Sequence, residues 1–390
     1  MEQKKIKTVT YNKHNSFFSF SSLNRNIDKK KIIKKINNLF IEKTGLNKLS
    51  ITDKKILQTA INDLNLEGDS LKNNNFSLSK NVIDEILSIN EDQILRYIVF
   101  RYKYEIFPKI KKLDRYPPYL QIEPSSICNY RCVFCFETDT TFTDKKNGFM
   151  GKIKFDLFKD IIDQIENNVE FISLASRGEP LANPEISEML KYCKDKFLNL
   201  KINTNASLLD EKKIHAILSG GVKTLVFSAD AADEKLYSEL RVNGNLTKVL
   251  KNIENFHNIR EKQYPNLKII SRVSGVKFNQ KQKFDDMIKL WSGLVDQVAF
   301  VDYNPWENTY LLPTNDVSEP CSDLWRRMFI WWDGKVNPCD VDYKSKLSVG
   351  NINDSTIEKI WNSDQYNQLR NEHMSNNRSN LIPCGGCTVI

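Results

Sequence analysis

From Tyr119 onward, short apolar runs alternate with amphipathic stretches. YLQIE, EFISLA, LKINT, TLVFSAD, LKIISRV and QVAFVD read as strands bounded by polar turns. Between them KFDLFKDIIDQIE, PEISEMLKYCKDKF, DEKKIHAIL, LTKVLKNIENFHNI and FDDMIKLWSGL carry apolar residues at helical spacing. Repeating β–α units predict a parallel sheet and an α/β fold. Six strands are too few for a closed eight-stranded barrel. They predict an open, partial (β/α)6 barrel with its chemistry at the C-terminal ends of the strands.

Before Tyr119 the pattern is mostly helical. DKKKIIKKINNLFIEK places Ile32, Ile36, Leu39 and Phe40 on one face, and TDKKILQTAINDL and NVIDEILSINEDQILRYIVFRYKYEIF continue it. EGDSLKNNNF reads as a loop between them. YPP at Tyr116–Pro118 breaks the helical run and marks a first boundary. A Pro-, Asn- and Thr-rich stretch, NPWENTYLLPTNDVSEP, marks a second. Three units are therefore expected: a helical N-terminal extension over 1–115, the partial barrel over 116–305, and a small domain over 306–390. In the last, WDGKVNPC reads as a hairpin turning at Asp333-Gly334, and DSTIEKIWNS as a helix capped by Asp354 or Ser355.

Charge changes this picture little. Residues 1–115 hold 23 Lys/Arg against 13 Asp/Glu, and the remainder 34 against 36. The basic excess lies mostly in the Asn-rich first fifty residues and reads as a solvated face rather than a nucleic-acid footprint. No apolar run approaches the roughly 18–20 residues that span a bilayer. The N-terminus lacks an apolar secretory core, so a cytoplasmic protein is expected.

The cysteines change it a great deal. None of the eight precedes Cys128. Clustered thiols in a reducing compartment point to metal or catalysis rather than to disulfides. Cys193 stands alone on a predicted helix and reads as a buried apolar thiol. Cys128, Cys132 and Cys135, spaced C-x3-C-x2-C, follow the first predicted strand. No His or further Cys lies nearby to complete a tetrahedral zinc site. A 4Fe–4S cluster held by three thiolates would leave one iron open to a small molecule. Cys321, Cys339, Cys384 and Cys387 form a second set that could bind structural zinc or a fully ligated cluster, and spacing alone favours zinc.

The stretch EPSSICNYRCVFCFE resembles the signature of the radical S-adenosylmethionine (SAM) superfamily. The resemblance implies that SAM chelates the open iron and is cleaved reductively to a 5′-deoxyadenosyl radical, which takes hydrogen from a substrate carbon. Phe134 matches the aromatic beside the adenine in that family. Gly178-Glu179-Pro180 in SRGEP resembles its GEP turn, with Glu179 or nearby carbonyls facing the methionine ammonium. Thr204 and Asn205 in INTNASLL resemble its TNG segment, although Ala206 replaces the glycine. FSADAADEKLYSELR resembles a strand-end segment in which Ser228 meets the ribose or carboxylate and Arg241 pairs with a carboxylate. Asp230 would act on substrate or cap the helix near Asp233.

The text around the second cysteine set resembles the SPASM or twitch extension of these enzymes. Full SPASM domains carry seven cysteines and two clusters. Four here imply the shorter form with one auxiliary 4Fe–4S cluster, closed to substrate and suited to moving electrons. RYPPYLQIEPSSICNYRC further resembles radical enzymes of sugar, surface-polysaccharide or small-metabolite modification. The expected function is oxidation of a sugar or aminosugar derivative, using SAM, two 4Fe–4S clusters and a flavodoxin- or ferredoxin-type electron donor. A maturase acting on a ribosomally made peptide and a redox-neutral epimerase or dehydratase are the alternatives.

Overall fold

Short polar side chains start the N-terminal helices where the apolar periodicity begins. The computed structural model describes residues 8–11, 18–21, 28–66 and 74–390. A strand β1 (Phe18–Ser21) precedes four helices, α1 (Lys29–Ile41), α2 (Ile51–Leu64), α3 (Lys80–Ser88) and α4 (Glu91–Ile106). Asp28, Ser50 and Ser79 accept from backbone N–H groups in the first turns of α1, α2 and α3. The long run read as one helix is two. Ile89 is extended, and Asn90 and Gln93 form a capping box that starts α4 afresh. Residues 67–73 of the loop EGDSLKNNNF lie outside the described residues.

All six expected barrel strands form, interleaved with the expected helices. In chain order come β2 (Tyr119–Ile122), β3 (Arg131–Cys132), α5 (Thr140–Thr143), α6 (Phe155–Ile165), β4 (Phe171–Leu174), α7 (Ile186–Tyr192) and β5 (Asn199–Thr204). Then follow α8 (Glu211–Ser219), β6 (Val222–Ser228), α9 (Glu234–Leu240), β7 (Arg241–Val242), α10 (Leu246–Gln263), β8 (Ile270–Lys277), α11 (Phe284–Trp291) and β9 (Gln297–Asp302). Strands β2, β4, β5, β6, β8 and β9 pair in parallel, in that order. Their outward residues pack against the helices around Ile122, Ile172, Ile202 and Leu225. The helix expected from PEISEMLKYCKDKF stops at Tyr192, with Cys193 as its cap, buried in the core. Asp233, not Asp230, caps α9.

The sheet continues past both ends of the barrel. β1 pairs antiparallel with β9. On the other side β10 (Arg327–Ile330) lies parallel to β2 and carries β11 (Lys335–Asn337) and β12 (Gly350–Asn351). The β10–β11 hairpin turns at Asp333-Gly334, where Gly334 has φ +82° and donates to the Trp331 carbonyl. α12 (Ile357–Trp361) is capped by Thr356, rather than by Asp354 or Ser355, and α13 (Asp364–Met374) follows. At the N-terminal end of the strands α4 closes the barrel. Phe100 stacks on Phe171 with centroids 3.7 Å apart, and Arg96 grips Glu170 through two hydrogen bonds. No described helix is long and apolar enough to cross a membrane.

Candidate active site

The three-cysteine loop leaves the C-terminal end of β2 and is fixed from three sides. β3 pairs antiparallel with β7, which places Cys132 opposite Arg241. The Arg241 guanidinium donates to the Cys132 sulfur at 3.6 Å, and its Nε lies 2.5 Å from Asp230. Arg241 thus already has a carboxylate partner within the chain. The Asn205 amide reaches the Cys128 sulfur at 3.9 Å and donates to Asn129 at 3.0 Å. Gly178 presses on the loop entrance, since a methyl group there would lie 2.5 Å from the Ser125 carbonyl oxygen.

Glu179 joins the two neighbouring segments. Its buried carboxylate accepts from the Thr204 hydroxyl at 2.6 Å, from the Asn205 N–H at 2.7 Å and from the Leu181 N–H at 3.0 Å. Desolvation raises its pKa, and those hydrogen bonds oppose the rise. Ala206, where the family has glycine, sits at φ +61°. Residue 206 therefore still takes the left-handed turn.

Residues from these segments surround one cavity of about 380 Å³. Cys128, Cys132, Cys135, Phe134, Gly178, Glu179, Thr204, Asn205, Ser228 and Arg241 line it. Pro180 is buried behind it, starting the turn that follows Glu179. The lining also takes inward residues of the barrel strands, including Gln121, Ser173, Lys201, Asn203 and Ser274. It reaches Arg327 of β10 and Asp340, the neighbour of Cys339. Glu137, ion-paired with Arg131 at 3.2 Å, faces the cavity, and burial pushes its pKa up to about 8. Tyr11 adds to the wall, tied by backbone hydrogen bonds to Thr388 and Ile390.

Several of these residues carry no local signal in the sequence. Glu123 and Arg177 form a buried forked pair at 2.7 and 2.6 Å. Arg177 also donates to the Tyr343 carbonyl and stacks over Trp331, so it locks the GEP turn to the C-terminal domain. Of the other residues near strand ends, Arg272 binds Gln297, Tyr303 donates to Glu307, and Asp342 accepts from Tyr310 and two backbone N–H groups.

Cys321, Cys339, Cys384 and Cys387 line a second, largely apolar cavity together with Leu324, Val341, Leu369 and Val389. Arg378 crosses behind it, donating to the Glu319, Cys387 and Val389 carbonyls. Burial raises the Cys321 thiol to about 11, with Asp323 and Cys387 adding to the shift. It also raises Cys128, Cys132, Cys135 and Cys384. Burial likewise raises the core thiol of Cys193, so the shift reports desolvation of each sulfur.

An open parallel barrel with three thiols at the end of its first strand, and a four-thiol domain beside it, defines a class of cluster-dependent proteins. Residues 122–290 match the family model of the radical SAM superfamily, and residues 321–388 that of the iron–sulfur cluster-binding SPASM domain. The chain carries a radical SAM domain followed by a SPASM domain. It is 32% identical to the tungsten-containing aldehyde ferredoxin oxidoreductase cofactor-modifying protein of Pyrococcus furiosus, over 29% of this chain and 30% of that protein. It is 26% identical to the AdoMet-dependent heme synthase of Methanosarcina barkeri, over 55% of this chain and 58% of that protein. Each match spans less than two thirds of the relative's own length. SuiB of Streptococcus suis, solved with its precursor peptide SuiA, shares the fold. It has a TM-score of 0.51 and 17% identity, over 94% of this chain and 90% of that one.

Proposed function

We propose that the protein is a radical SAM oxidoreductase that oxidises a small polar metabolite, a sugar or aminosugar derivative, inside the barrel. The observation that carries this reading is the reach of the cavity. It runs from Cys128, Cys132 and Cys135 to Asp340, next to Cys339 of the second set. A substrate held there lies between the two cysteine sets.

Cys128, Cys132 and Cys135 would hold a 4Fe–4S cluster with one iron left for SAM, and Cys321, Cys339, Cys384 and Cys387 an auxiliary 4Fe–4S cluster. When bound, the first would supply the electron that cleaves SAM to a hydrogen-abstracting 5′-deoxyadenosyl radical, and the second would take the electron left on the substrate as its hydroxyl proton passes to solvent. The chain's own residues position the reactants. Arg241, neutralised by Asp230, holds Cys132 and flanks the Phe134 ring at 5.8 Å. Glu179 fixes Thr204 and Asn205 at the cavity wall. Ser228 presents its hydroxyl at the end of β6. An epimerase would need a hydrogen donor, and Cys193 is buried in the core behind α7.

The test is mass spectrometry of small-molecule extracts incubated anaerobically with reduced protein, SAM and a flavodoxin- or ferredoxin-type donor. A metabolite that loses two hydrogens supports the oxidation. An isomer of unchanged mass, or a modified peptide, contradicts it.

A further inference from the structure

Resting on the reading above, the geometry points to a substrate that carries an oxyanion, a phosphate or a carboxylate, seated between Lys201 and Arg327 at the base of the barrel cavity. Lys201 is the inward residue at the middle of β5, and Arg327 opens β10 in register with Tyr119 of β2. Both line the cavity.

The Lys201 ammonium makes no hydrogen bond or ion pair with any described residue. The carboxylate acting on it is Glu85, whose Oε2 already accepts from the Tyr97 hydroxyl at 2.5 Å. The other charges near Lys201 are cations, Arg272 and Arg327. Burial, then those two guanidinium groups, bring the Lys201 ammonium down to about 7. Arg327 lies 4.8 Å over the Tyr119 ring and donates to Gln121 at 3.2 Å. Its Nη1 is ion-paired with Asp323 at 3.9 Å and Asp340 acts on it from the C-terminal domain, yet its Nε is buried without an acceptor.

A desolvated ammonium beside two guanidinium groups costs stability in the empty protein. An oxyanion in the cavity relieves that cost, accepting from the Lys201 ammonium and the Arg327 fork. Nearby, Asn203 Oδ1 and Ser176 Oγ are buried lining atoms without hydrogen-bond partners. Such atoms suit hydroxyl groups, so the chemistry described is that of a hydroxylated acid or phosphate ester.

The experiment uses full-length, cluster-reconstituted protein with SAM. Lysine acylation by acetic anhydride near pH 7 is followed by peptide mass spectrometry, with inorganic phosphate or acetate as the probe. Protection of Lys201 by about tenfold, with exposed Lys251 unaffected, supports the site. Protection by phosphate alone identifies a phosphate, and by acetate alone a carboxylate. Lys201→Met is expected to fold at least as stably as the wild type and to weaken probe binding about tenfold in calorimetry. Lys201→Arg should keep that binding. Neither probe protecting Lys201, or Lys201→Met unfolding at lower temperature than the wild type, overturns the site and makes the lysine structural. Release of 5′-deoxyadenosine is measured in the same preparation. Its absence would sink the radical-enzyme reading, whereas failed protection in a protein that cleaves SAM sinks the anion site alone.

Discussion

Ala206 shows how a local departure from a motif is absorbed. It is fully buried at φ +61°, and its N–H donates to the Thr204 hydroxyl. A β-carbon in that region costs roughly 1–2 kcal/mol. Ala206→Gly is expected to raise stability by about 1 kcal/mol in chemical denaturation, with SAM cleavage unchanged or faster. Gly178 is the opposite case. A β-carbon added there would lie 2.5–2.7 Å from the Ser125–Ile127 backbone, so Gly178→Ala must displace the cysteine loop. A shift of that kind is expected to slow 5′-deoxyadenosine release at least about tenfold, measured by chromatography. The cysteine triplet, Glu179, Thr204 and Asn205 were legible because each sits in a short contiguous string after a predicted strand. The Glu123–Arg177 pair was not, because its partners are 54 residues apart and each alone looks like an ordinary loop charge. Lys201 and Arg327 were hidden for the same reason, as their shared environment exists only once the strands have assembled.

At the level of elements, periodicity located all six barrel strands and the helices between them. It failed where backbone contacts decide. An unbroken apolar stripe concealed the break at Ile89, which a cap at Asn90 enforces. β1 was missed because an edge strand added to β9 is stabilised by main-chain hydrogen bonds that composition does not display. The pairing of β3 with β7 was missed too, although it sets Cys132 against Arg241. The role of α4, by contrast, is carried by its side chains. Phe100 covers Phe171 at the barrel floor. Phe100→Ala is expected to cost about 3–5 kcal/mol and to lower the thermal midpoint in calorimetry.

At the scale of the whole molecule, the barrel, the GEP turn and the C-terminal domain meet at Arg177, bonded to Glu123 and to the Tyr343 carbonyl. Arg177→Met leaves the buried Glu123 carboxylate without a counter-charge. The expected loss is about 3–5 kcal/mol by denaturant titration, with part recovered when Glu123→Gln is added. The two cysteine sets occupy separate cavities and should fail separately. Cys384→Ser is expected to keep SAM cleavage, lose substrate oxidation, and drop iron from about eight to about four per chain. The central claim is that the loop of Cys128, Cys132 and Cys135 forms the site where SAM is split. It is tested most directly by measuring 5′-deoxyadenosine released from SAM under dithionite by reconstituted wild-type protein and by Cys132→Ala. The expected result is steady release by the wild type and none by the variant. Equal release by both, or none by an iron-loaded wild type, would contradict it.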